Sequence, residues 1–117
     1  LSEKDGLVVV EVPRWDSIST QIQCVMNDSV VRHLDPLGHI NVFTDNSLIT
    51  IFERSGFEPV AAWYFGMDGY ELLMQLYNMA KNDKFMRSIV KYSGKLQKKI
   101  DRALASDTII LVGKPVK

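Results

Sequence analysis

An α/β fold is predicted by three observations. Two apolar runs, Leu7 to Val10 and Ile109 to Val112, are of strand length and lie next to Gly or Pro. A third run, residues 60–65 (Val-Ala-Ala-Trp-Tyr-Phe), is rich in aromatic residues that favour strands. Between these runs, apolar residues recur every three or four positions, the period of a helix. The result is about three strands and about four helices. Ordinary sheets average roughly five or six strands. Completion of this sheet by residues outside the chain, or by a second copy, is therefore expected.

The elements follow in order. Lys4-Asp5-Gly6 is a turn signal ahead of the first strand. Its unbroken apolar run suggests burial on both faces, as in a parallel sheet, and Pro13 should end it. A short helix is predicted over 17–27. Ser17 or Asp16 would be its cap and Ile18, Ile22 and Val25 its inward face. Residues 28–38 are irregular, with Pro36 and Gly38 as breakers. Ile40 and Val42 face inward from an extended arm.

Thr44 should cap the next helix. Its apolar stripe is Leu48, Ile51 and Phe52, and Gly56 stops it. After the strand 60–65, Asp68 or Gly69 opens a helix running to about Lys81, with Tyr70, Leu73 and Leu76 on its apolar side. From Lys84 to Ala105 one long amphipathic helix is predicted, bent or frayed at Gly94. Along it Phe85, Ile89, Tyr92, Leu96 and Ile100 form an apolar stripe. Beside them run Lys84, Arg87, Lys91, Lys95, Lys98 and Arg102. The last strand is Thr108 to Val112.

With 117 residues, 46% of them hydrophobic and 24% charged, the chain fits one folded domain. No run approaches the roughly 20 apolar residues that span a bilayer, so no membrane partner is expected. The lone Cys24 forbids an internal disulfide and suits a reducing cytoplasm. The missing initiator Met suggests a trimmed chain or a piece of a longer protein. Net charge is zero but uneven. Residues 1–80 hold four Lys/Arg against eleven Asp/Glu, and residues 81–102 hold eight against two. The basic segment is read first as a solvated helix face. With no aromatics on its basic side, nucleic-acid binding is not expected.

A family resemblance rests on four motifs: Gly6-Leu-Val-Val-Val-Glu-Val-Pro13, His39-Ile-Asn-Val-Phe-Thr44 with Ser47-Leu48, Gly56-Phe57-Glu58, and Thr108-Ile-Ile-Leu-Val112 with Lys114. Together they resemble the C-terminal half of class I S-adenosylmethionine-dependent methyltransferases, in the branch that modifies sugars and other small metabolites. The resemblance covers residues 1–66 and 107–114 and leaves 67–106 as a helical insertion. It implies a partial Rossmann-like sheet. The chain would supply the fifth, sixth and seventh strands of seven, the last antiparallel and inserted beside its neighbours. It also implies S-adenosylmethionine as cofactor, held by an N-terminal half of the same protein. The seven glycines form no Gly-x-Gly turn after a strand, so the fragment is expected to be inactive alone.

His39 is the candidate catalytic residue, because neutral imidazole can accept a proton during methyl transfer near pH 7. It can equally anchor the arm through backbone hydrogen bonds. Asn41, two residues along, projects to the same side and can orient an acceptor or bond the backbone. Glu11, Arg14 and Trp15 lie near the carboxyl end of the first strand, where ligands gather in open α/β sheets. His33, His39 and Cys24 match no usual zinc spacing, and no metal is expected. The competing reading is a non-enzymatic interaction module that uses an exposed sheet edge and the basic helix.

Overall fold

Alternation of buried and exposed residues organises the sheet at the centre of the chain. The computed structural model describes residues 6–26, 31–34 and 37–116. The turn expected at Lys4-Asp5, the end of the first helix at Asn27, and parts of the irregular loop, including Pro36, lie outside the described residues.

The elements are β1 (Val8–Pro13), α1 (Ile18–Val25), α2 (Asp45–Arg54), β2 (Phe57–Phe65), α3 (Asp68–Ala80), α4 (Asp83–Ile89), a 3-10 turn (Val90–Tyr92), α5 (Ser93–Arg102) and β3 (Thr108–Pro115). The fold is α/β. Its three strands run in the order β1-β3-β2, with β3 antiparallel to both neighbours. If the helix broken by the 3-10 turn is counted once, four helices accompany the sheet.

Register separates the two faces. Val10 pairs with Leu111 and Val12 with Ile109, while Ala62 and Tyr64 pair with the same two β3 residues. These side chains face α2, where Leu48, Phe52, Ile109 and Leu111 form the buried core. On the opposite face Val9 pairs with Val112, Glu11 with Ile110, and Trp63 with Ile110. That face is uncovered, with Val9 63% and Trp63 69% exposed. The expectation of two buried faces for β1 therefore does not hold among the described residues. β1 pairs with β3 alone, and its residues alternate.

α2 forms as expected. Thr44 Oγ1 accepts from the Ser47 N–H at 3.1 Å, and Ser47 Oγ accepts from the Thr44 N–H at 3.0 Å, a reciprocal cap. Gly56 follows with φ +81°, a left-handed conformation that side chains disfavour. Ile51, read as part of the stripe, is exposed, and Ile49 packs on the core instead. β2 begins three residues earlier than predicted. Its register slips between Pro59 and Ala61, where proline lacks a ladder donor.

α1 departs most from expectation. Ser19, Thr20 and Gln23 are its buried residues, while Ile18 and Val25 are exposed. The buried face is polar because it meets a carboxylate: Ser19 Oγ donates to Asp68 Oδ1 at 2.5 Å. The long helix predicted from Lys84 is also broken at residues 90–92, just before Gly94. α5 packs on α3 and buries Ile100, whereas α4 buries no residue.

Candidate functional site

Two strands, β1 and β2, end their carboxyl termini on the same side of the sheet, beside the start of β3. Ligands of open α/β sheets collect in such places. The arm before α2 is fastened here by backbone hydrogen bonds. The Phe43 N–H donates to the Pro13 carbonyl at 3.2 Å, and the Trp15 N–H donates to the Phe43 carbonyl at 2.8 Å. Arg14 and Phe43 thus form a parallel bridge that brings the arm to the end of β1.

Arg14 is 3% exposed and almost fully committed. Its Nε and Nη2 grip the Asp45 carboxylate at 2.7 and 2.9 Å. Its Nη1 donates to the carbonyls of Leu104 at 2.9 Å and Ser106 at 2.8 Å. The guanidinium also lies 4.6 Å from the centre of the Tyr64 ring. Tyr64 Oη donates to Asp45 Oδ2 at 3.2 Å. Burial, then the Asp45 charge and hydrogen bond, push the Tyr64 phenol above its ordinary pKa, against the opposing pull of Arg14. Arg14 therefore holds β1, α2 and the α5–β3 loop together.

A second polar centre lies where β2, α3 and β3 meet. Asp68 and Asp107 are both fully buried. Asp68 Oδ2 accepts from the Asp107 N–H at 2.9 Å, and Asp107 Oδ1 accepts from Thr108 Oγ1 at 3.0 Å. Gly66 makes this approach possible, because a Cβ there would stand 2.0 Å from Asp107 Oδ1. His33 Nε2 comes within 3.5 Å of Asp107 Oδ2, and Arg32 Nη1 within 3.6 Å. Arg32 also pairs with Glu71. Burial alone would raise the Asp107 pKa. The contacts from His33 and Thr108 and the charge of Arg32 outweigh it and hold the carboxyl below its ordinary range.

The candidate residues fall in different places around these centres. His39 is exposed, with its ring centre 6.0 Å from that of buried His33 in an edge-on arrangement. Asn41 is exposed on the same arm. Trp15 is half-buried, and its carbonyl accepts from Gln21 Nε2 at 2.8 Å. Glu11 is exposed on the uncovered face of the sheet, opposite Ile110. His39, Asn41 and Trp15 thus share the arm's side of the strand ends, Arg14 is enclosed beneath them, and Glu11 stands apart.

Sequence reasoning missed Asp45, Tyr64, Asp68 and Asp107 as partners. Asp45 and Asp68 sit in the first turns of helices, where an acidic residue is explained by the helix dipole alone. Asp107 precedes a strand, with no local pattern to mark it.

Known families and curated proteins were compared with the chain. No family model and no curated protein matches it. What the geometry offers is an exposed imidazole, His39, edge-on to buried His33, which in turn approaches the Asp107 carboxylate.

Proposed function

We propose that this chain is the substrate-side portion of a class I S-adenosylmethionine-dependent methyltransferase acting on a sugar or other small-molecule acceptor. The observation that carries the reading is the sheet order. β3, last in sequence, lies between β1 and β2 and runs antiparallel to both. This is the arrangement that the resemblance implies for the last three strands of that fold. The edge of β1, unpaired among the described residues, and the uncovered face carrying Val9 and Trp63 support it, since the first calls for another strand and the second for a covering layer.

The described residues do not form a cradle for S-adenosylmethionine. β1 runs into Pro13-Arg14 rather than a glycine turn, and the space at Gly66 is taken by Asp107 and Asp68. The cofactor site belongs to the missing half. This portion contributes His39 as proton acceptor and Asn41 and Trp15 as acceptor-positioning groups. In-line methyl transfer needs correct placement above all.

The test supplies the chain joined to its cofactor-binding half with labelled S-adenosylmethionine and a panel of sugar acceptors. Methyl transfer is expected, with His39→Ala lowering kcat by about 100-fold or more. No transfer to any acceptor, or full activity in His39→Ala, would count against the reading or the site respectively. The open β1 edge also favours a second reading, a non-enzymatic interaction module. In that case the chain pairs with another chain, or with its own copy, and transfers nothing.

A further inference from the structure

Zero net charge conceals an asymmetry that the structure makes explicit. Many acidic groups of the body are spent internally: Asp68 and Asp107 are buried, Asp45 holds Arg14, Glu71 holds Arg32, and Glu58 holds Lys114. The eight Lys/Arg of residues 81–102 are all exposed, and no ion pair involves them among the described residues. The two acids in that segment turn elsewhere. Asp83 accepts from Tyr77 Oη, and Asp101 from Gln97 and Ser106.

Exposed apolar side chains occur alongside these cations. Leu76 is 47% exposed, Met79 69%, Phe85 39% and Tyr92 51%. α4 packs on α3 yet buries none of its residues. Leu76 and Met79 also flank an open apolar cleft of about 280 Å³ between α1, α3 and α5. Contrary to the sequence reading, an aromatic does sit among the cations. The ammonium groups of Lys91 and Lys95 lie 5.2 and 5.9 Å from the centre of the Tyr92 ring. One ring among the cations gives no row of aromatics on which successive bases could stack. A tyrosine flanked by lysines beside exposed Leu, Met and Phe suits the boundary between lipid headgroups and acyl chains.

We propose that the α3–α4–α5 surface docks on an anionic phospholipid bilayer. The lysines and arginines meet headgroup phosphates, while Met79, Phe85 and Tyr92 enter the headgroup boundary. No helix of the described residues is long and apolar enough to cross a membrane, and none needs to, because the proposed helices lie on the surface.

Co-sedimentation of the 117-residue chain with phosphatidylcholine vesicles, with and without phosphatidylglycerol, tests the proposal. Binding is expected only to the anionic vesicles and should weaken as salt rises. At about fivefold per lysine near an anionic surface, the triple variant Lys91→Ala/Lys95→Ala/Lys98→Ala should lower the partition coefficient roughly 100-fold. Met79→Ser/Phe85→Ser should weaken binding severalfold while leaving its salt dependence intact. All five positions are solvent-accessible, and far-UV circular dichroism checks that the variants stay folded. Failure to bind anionic vesicles, equal binding to neutral ones, or an unaffected triple variant would overturn the proposal. So would salt-sensitive capture of a single-stranded oligonucleotide without vesicle binding. Unchanged binding of Met79→Ser/Phe85→Ser would overturn the seating of the helices.

Discussion

Arg14 illustrates how a single residue changes meaning between sequence and structure. At the end of a strand, next to Trp15, it reads as a lining of a substrate mouth. In the fold it uses four of its five N–H donors inside the protein, two of them on Asp45. Its removal leaves the half-buried Asp45 carboxylate with only the Tyr64 hydroxyl, and takes the side-chain donor from two carbonyls. Arg14→Ala should therefore lower the unfolding free energy by about 3 kcal/mol. Arg14→Lys should recover little of it, because an ammonium cannot make the paired contact. Urea unfolding of the three proteins measures both. A loss near zero would mean that the guanidinium is dispensable and open to a role at the surface.

Among the elements, those with strong local signals formed where expected. Thr44, Ser47 and Gly56 delimit α2 by hydrogen bonds and a φ that no distant residue has to supply. α1 shows the opposite case. Its apolar periodicity points one way, but the hydroxyls of Ser17, Ser19 and Thr20 are turned inward, toward one another and toward Asp68. The break ahead of α5 belongs to this scale as well. Gly94 occupies the second position of α5, and a Cβ there meets nothing within 4 Å. Gly94→Ala should stabilise the protein by about 0.5–1 kcal/mol, through a stiffer unfolded chain and better helix propensity. A rise of the thermal midpoint checks this, and a fall would show that the bend at residues 90–92 depends on glycine.

For the whole molecule the main fact is incompleteness of the core. The buried apolar side chains among the described residues are Leu48, Phe52, Ile100, Ile109 and Leu111. The radius of gyration is 17.0 Å, against about 13 Å for a compact chain of this length. The sheet with α2 forms one part of an elongated body and the helices α1, α3, α4 and α5 the other. Asp107 joins them: its carbonyl accepts from the Arg14 N–H at 2.7 Å, and its own N–H reaches Asp68. Because its carboxyl pKa is depressed below the ordinary 3.8, the ionised form stabilises the fold. That contribution is complete above pH 3.8 and disappears as pH falls through the lower, folded-state pKa. Acid unfolding of Asp107→Asn should lose this component of the pH dependence between those two values. If its profile there coincides with that of the unaltered chain, Asp107 does not link folding to pH.

The sequence by itself determined the α/β class, the approximate position of every strand, the cap and stop of α2, and the segregation of basic charge into residues 81–102. These depend on local propensity, periodicity and turn chemistry, which act over a few residues. It also offered the arm from His39 to Thr44 as a candidate site. Only the tertiary structure decided that Arg14 turns inward to Asp45 and that His33 stands between His39 and Asp107. It alone left one sheet face and the basic helices uncovered. These outcomes depend on contacts between residues thirty to ninety positions apart, as in the Arg14–Asp45 and Arg14–Ser106 bonds. Burial turns such pairs from surface charges into anchors, and no short-range pattern records which partner each will meet.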